Sequence, residues 1–171
     1  MSALTTSQDQ TAGTLAGSPD RLVYAVVGFD GSASSLRALD VAARLLNDRS
    51  GGMEIVYVAH IPAMVADLMG EASAEVLQSF DDATRDLSKQ VRAHLRACHL
   101  RGAAQCWHFQ RRDGAVADNL TAVADELRRQ HGPDAVVILV VGRSKHGHHH
   151  VLGSVPSALE RHVRYPVMII P

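Results

Sequence analysis

Apolar positions in this chain arrive in blocks whose period alternates between that of a strand and that of a helix. Leu22-Val23-Tyr24-Ala25-Val26-Val27-Gly28-Phe29 is a β-branched run of strand length. Asp30-Gly31-Ser32 ends it, with Ser32, Ser34 or Ser35 available to cap a helix. The period then lengthens: Leu36, Leu39, Ala43 and Leu46 share one helical face, and Gly51-Gly52 reads as its stop. A second strand is predicted from Glu54 to about Ile61, ended by Pro62. Next, Val76, Phe80, Ala83, Leu87, Val91, Leu95 and Cys98 form a near-heptad stripe. It predicts a core-facing helix that starts between Val65 and Ser73.

A short third strand is expected from Ala103 to Gln110, around Cys106, Trp107 and Phe109. Asp113-Gly114 turns the chain into a helix with Val116, Leu120, Val123 and Leu127 on its face, ending near His131-Gly132-Pro133. Val136 to Val141 is apolar throughout and suits a strand buried on both sides. A cationic loop, a helix to about His162 and a last strand from Tyr165 to Ile170 complete the order. Strands alternating with helical crossovers demand a mostly parallel sheet with helices on both faces, a Rossmann-like α/β fold. Five strands in the order 3-2-1-4-5 would set the ends of the first and fourth side by side. Ligands of such sheets sit beyond the carboxyl ends of the strands, where the order reverses.

The stretch after the fourth strand carries the most chemistry. Gly142-Arg143-Ser144-Lys145-His146-Gly147 breaks the apolar run, and Gly153-Ser154-Val155-Pro156 opens the next helix, with Ser154 as its N-cap. A strand, a cationic loop and a helix N-terminus together suit an anion, because free N–H groups and the helix dipole point at the loop. From Gly142 onward there are four cations (Arg143, Lys145, Arg161, Arg164) and one acid, Glu160. The whole chain is balanced at a net charge of −1, which argues against a nucleic-acid surface or a polybasic membrane anchor.

Composition narrows the reading further. The length, 171 residues, suits one domain with a single core. Residues 1–20 are Thr, Ser, Gln, Gly and Ala with little to bury, and they read as a disordered tail ahead of one domain spanning 21–171. Two cysteines without a C-x-x-C spacing read as reduced structural thiols. No apolar run reaches membrane-spanning length, and the N-terminus has neither a basic n-region nor an apolar h-region. The expected location is the cytoplasm.

Enzyme signatures are wanting. There is no G-x-S-x-G elbow, no H-E-x-x-H and no complete phosphate-loop motif, and His60 follows the second strand, not the first. A non-enzymatic protein, with weak phosphohydrolase activity at most, is the better reading. His146, His148, His149 and His150 invite a metal assignment, but no Cys or carboxylate flanks them, so a solvated, anion-facing loop is favoured. Asp30-Gly31-Ser32 also has a plain reading as turn and cap, and Gly142 as a strand exit.

Several of these pieces occur together in a known family. Val26-Val27-Gly28-Phe29-Asp30-Gly31-Ser32, the strand ending Tyr57-Val58, the Asp113-Gly114 turn and the block Val140-Val141-Gly142 … Gly153-Ser154-Val155 … Tyr165-Pro166-Val167 resemble the universal stress protein family over about residues 21–171. The resemblance implies the five-stranded sheet and, in the ATP-binding branch, a G-x-x-G … G-S or G-T phosphate loop. It implies that Asp30 serves the adenosine side and Val58 packs on adenine. It implies, too, that Gly142 is the first motif glycine, with Gly153 and Ser154 the closing pair. Gly31, Ser32, Arg143, Gly147 and Val155 complete the expected nucleotide site.

Lys145 stands where the second motif glycine belongs, and the span from Gly142 to Gly153 is two residues shorter than the family pattern. Lys145 either supplies charge to phosphate or blocks the close backbone approach that glycine permits. The function implied is a small ATP- or AMP-binding stress-response protein, with Mg as a possible companion ion, acting as a switch or adaptor. The alternative is a dimeric interaction module without ATP. Many members of the family pair through the last strand, which implies a homodimer here.

Overall fold

The computed structural model describes residues 21–59, 73–143, 158–159 and 164–171. Its centre is a five-stranded sheet in the order β3-β2-β1-β4-β5, parallel throughout. β1 (Val23–Gly28) runs between β2 (Gly51–Ala59) and β4 (Val136–Gly142). β3 (Trp107–Asp113) and β5 (Val167–Ile170) are the edges. Val23 pairs with Gly51 on one side and Val136 on the other, and Gly28 with Val56 and Val141.

Helices cover both faces, as the crossovers require. α1 (Ala33–Leu46) and α2 (Ser73–Ala97) lie on one face, where Leu39, Leu46, Val91 and Leu95 close over Ala25, Val27 and Ile55. α3 (Val116–His131) lies on the other, where Leu120, Val123 and Leu127 close over Val26, Val56 and Leu139. Ala25, Val26 and Val27 are fully buried, so the central strand meets water on neither side. Residues 60–72, the predicted N-terminal tail and most of the stretch from 144 to 163 lie outside the described residues.

Three boundaries differ from the sequence reading. Gly51-Gly52 does not stop α1, which ends at Leu46 with Asn47 as its C-cap; the glycines instead begin β2. A Cβ on Gly51 would stand 2.0 Å from the Val23 carbonyl oxygen, at a φ of +133°. Only glycine lets the two strand starts meet there. The third strand begins later than expected, because Gly102–Gln105 forms a 3-10 turn and pairing starts at Trp107. The last strand is shorter: the Tyr165 hydroxyl donates to Asp125 of α3 at 2.5 Å, and β5 starts only at Val167.

Candidate functional site

The ends of β1, β2 and β4 and the start of α1 enclose a hollow of about 140 Å³. It lies where the strand order reverses, since β1 runs on to β2 while its other neighbour, β4, comes from far along the chain. Phe29, Val56, Val58, Val116 and Val141 supply an apolar wall. Asp30, Ser32, Ser34 and Ser35 supply the polar rim, and Gly28 and Gly142 the backbone floor.

The rim is built by the first turn of α1. Ser32 is extended at φ −68° and ψ 159°, and its Oγ accepts the Ser35 N–H at 3.1 Å, which makes it the N-cap. Ser35 Oγ donates to the Ser32 carbonyl at 3.0 Å and accepts the Asp30 N–H at 3.4 Å. Ser34 Oγ meets Ser32 Oγ at 3.1 Å. Ser34 and Ser35 are buried, and these bonds satisfy their hydroxyls.

Asp30 Oδ1 accepts the Ser32 N–H at 3.0 Å, closing an Asx-turn. Burial opposes ionisation of this carboxyl, but hydrogen bonds from the Ser32 side chain and backbone and from Ser35 outweigh it, and its pKa lies below the ordinary aspartate value. Asp30 is therefore a carboxylate at neutral pH. A carboxylate accepts about four hydrogen bonds, so the Ser32 contact leaves capacity for a ligand's hydroxyl or N–H.

Gly142 is where strand and helix touch. A Cβ there would lie 2.6 Å from Ser34 C and 2.7 Å from Ser35 N. The end of β4 thus lies directly against the first turn of α1, and anything larger than hydrogen would push them apart.

Of the expected site residues, Asp30, Ser32, Val58 and Gly142 come together around the hollow. Gly31 has a different job: at φ +79° it makes the turn, and a Cβ on it would meet Leu87 of α2 at 2.7 Å. Arg143 is exposed just beyond β4, its N–H donating to the Ile170 carbonyl at 2.7 Å. Lys145, Gly147, Gly153, Ser154, Val155 and the histidines of 146–150 lie outside the described residues. Sequence reasoning missed Ser34 and Ser35 as lining residues, though their position in the first turn after a capping serine was a signal. It also missed Val56, Val116 and Val141 as the rest of the wall.

The universal stress protein family matches residues 25–171. No protein with a curated description matches the sequence. Among solved structures, a universal stress protein in complex with cAMP is 25% identical, with a TM-score of 0.59, covering 90% of this chain and 99% of that one. The universal stress protein UspA of Lactobacillus plantarum is 17% identical, with a TM-score of 0.51, covering 88% and 99%. That of Archaeoglobus fulgidus in complex with dAMP is 18% identical, with a TM-score of 0.50, covering 88% and 98%. The family match starts inside β1 and runs to Pro171, taking in part of every strand and every residue lining the hollow, and so the chain belongs to the universal stress protein family.

Proposed function

We propose that the chain binds an adenine nucleotide, ATP or AMP, in the hollow between β1 and β4 and works as a regulatory switch or adaptor. The observation that carries this reading is the pairing, at the switch point, of an apolar slot with a carboxylate and a helix N-terminus. Val58, with Val56, Val116 and Val141 beside it, suits the flat face of adenine. Asp30, already ionised, suits a ribose hydroxyl or a base N–H. The first turn of α1 has the polarity that phosphate oxygens want. Arg143, Lys145, Gly147, Gly153, Ser154 and Val155 would complete the phosphate side, with Mg accompanying ATP.

The close contact at Gly142 supports the reading in another way, because it holds the end of β4 against the first turn of α1 and so keeps the two sides of the hollow together. The relative bound to cAMP supports an adenine ligand in this family. Differential binding is the mechanism: a nucleotide favours the conformation that holds it, and so alters the surface a partner meets. The chemistry the nucleotide supplies is charge and hydrogen bonding, and no residue of the hollow is assigned a hydrolytic role. A cytoplasmic stress-response setting goes with the family.

Calorimetric titration with ATP, AMP and cAMP tests the reading. Asp30→Ala is expected to weaken the best ligand about tenfold or more, the worth of a hydrogen bond to a charged group. Lys145→Ala weakens it if the lysine holds phosphate, and Lys145→Gly strengthens it if the lysine obstructs. No heat and no thermal shift in the unaltered protein at millimolar nucleotide would sink the reading and favour the nucleotide-free interaction module.

We also propose a homodimer through β5. The other edge, β3, is defended by His108, Arg111 and Arg112, whereas β5 offers only Val167, Met168, Ile169 and Ile170, all half-buried in one copy. Pairing the two β5 strands about a two-fold axis covers both edges at once. Light scattering at tens of micromolar is expected to give the mass of two chains, and Ile169→Lys that of one. A single-chain mass for the unaltered protein would refute the dimer.

A further inference from the structure

Away from the hollow, Asp40 of α1 faces His94 and Cys98 at the end of α2. His94 Nε2 lies 2.7 Å from Asp40 Oδ1, and Cys98 Sγ lies 4.0 Å from the same oxygen. All three ligand atoms fall within 4.8 Å of one another, and all three residues are half-buried. His94 and Cys98 stand four positions apart, so successive turns bring both to the same side.

A Cys–His–Asp grouping has two chemical readings. The first is a nucleophile with its base. Burial, and after it the Asp40 carboxylate, push the Cys98 thiol up, with only Arg44 pulling it down, so the sulfur is not activated. The Cys98 thiol is instead turned along its own helix, donating to the His94 carbonyl at 3.5 Å.

The second reading is a metal centre. We propose that Asp40, His94 and Cys98 bind a borderline-soft divalent transition ion of the Zn²⁺ class, with water in the fourth position. Bond lengths of about 2.0–2.3 Å in a tetrahedral ion set its ligand atoms roughly 3.3–3.6 Å apart. The distances here, 2.7 and 4.0 Å, lie on either side of that spacing. An ion would ask the His94 and Asp40 atoms to part slightly and the Cys98 sulfur to draw closer to Asp40, changes on the scale of side-chain rotation. One imidazole, one thiolate and one carboxylate select Zn²⁺ or Co²⁺ over Mg²⁺ or Ca²⁺, which take all-oxygen shells. The His94 and Asp40 side chains keep 29% and 35% of their surface exposed, which leaves a way in for the ion and room for the water. On binding, the thiol proton passes to solvent, and the ion's two charges are balanced by thiolate and carboxylate.

The test uses the full, reduced, metal-free chain with His146, His148, His149 and His150 replaced by glutamine, so that this histidine-rich stretch takes up no probe. Co²⁺ alone is titrated and its thiolate charge-transfer band read. One equivalent is expected to saturate the band, which Zn²⁺ then displaces. Cys98→Ser abolishes it, Cys106→Ser leaves it, and His94→Gln and Asp40→Asn each weaken Co²⁺ binding at least about tenfold. The unaltered chain gives a readout independent of any variant's folding: Zn²⁺ slows alkylation of Cys98 but not of Cys106, as resolved by peptide mass. No band, a band that survives Cys98→Ser, or equal alkylation of Cys98 with and without Zn²⁺ would overturn the proposal and leave an Asp–His pair bridging two helices.

Discussion

Gly142→Ala is expected to cost the fold about 3 kcal/mol, the upper end of overpacking losses, although alanine is otherwise a mild change. The backbone at Gly142 needs no left-handed conformation, so the loss comes from space alone. All the nearest atoms are main chain: Ser34 C at 2.6 Å, Ser35 N at 2.7 Å and Ser34 O at 2.8 Å. No rotamer change relieves such a contact, and either the end of β4 or the first turn of α1 must move. Urea unfolding is the measurement, with a lower midpoint and an unchanged slope. Because the displaced turn carries Ser32, Ser34 and Ser35, nucleotide affinity is expected to fall with stability. A midpoint equal to that of the unaltered protein would mean that β4 and α1 do not meet at this glycine.

Leu120→Ala is expected to be the larger loss of packing, about 2–5 kcal/mol. Leu120 is completely buried in the second turn of α3. It presses on the end of β1, where a Cβ on Gly28 would be only 3.3 Å from its Cδ1. Strand β1 is held by hydrogen bonds on both sides and cannot shift to fill the space, so most of the void persists. Leu22→Ala is the control: Leu22 keeps 36% of its surface exposed, and its loss is expected to stay within about 0.5 kcal/mol. Equal midpoints for the two variants would show that α3 is not seated on the sheet as described.

Much of this was legible in the sequence. The β-branched run from Leu22 announced a strand and that from Val136 a strand buried on both sides, and the two pair with each other at the middle of the sheet. The helical faces built on Leu39 and Leu46, Val91 and Leu95, and Leu120 and Val123 are the ones that close the core. What escaped was crowding of backbone against backbone. Gly51-Gly52 resembles a helix stop in one dimension, and only the Val23 and Cys106 carbonyls, 2.0 and 2.9 Å from would-be Cβ atoms, explain why it opens a strand.

The end of β3 escaped for another reason. Arg111, Arg112 and Asp113 fell beyond the predicted strand end because their charges break the apolar pattern, yet an edge strand keeps such residues by pairing them outward. Arg112 meets Glu126 at 2.8 Å and Arg111 meets Asp81 at 2.9 Å. Ser32, Ser34 and Ser35 were read as alternative caps, when Ser32 caps and all three line the hollow; hydroxyl chemistry alone does not rank them.

The position of β1 also governs when the fold is able to form. Its register joins Val23 to Gly51, a near neighbour in the chain, and to Val136, which is made only after most of the protein. During synthesis the first strand therefore waits with one edge unpaired until β4 has left the ribosome. Such waiting edges are where newly made chains associate wrongly, and contacts so distant in sequence slow the search for the native state. The step that seats β4 beside β1 is the same one that brings Gly142 against the start of α1, so the hollow forms only with that pairing.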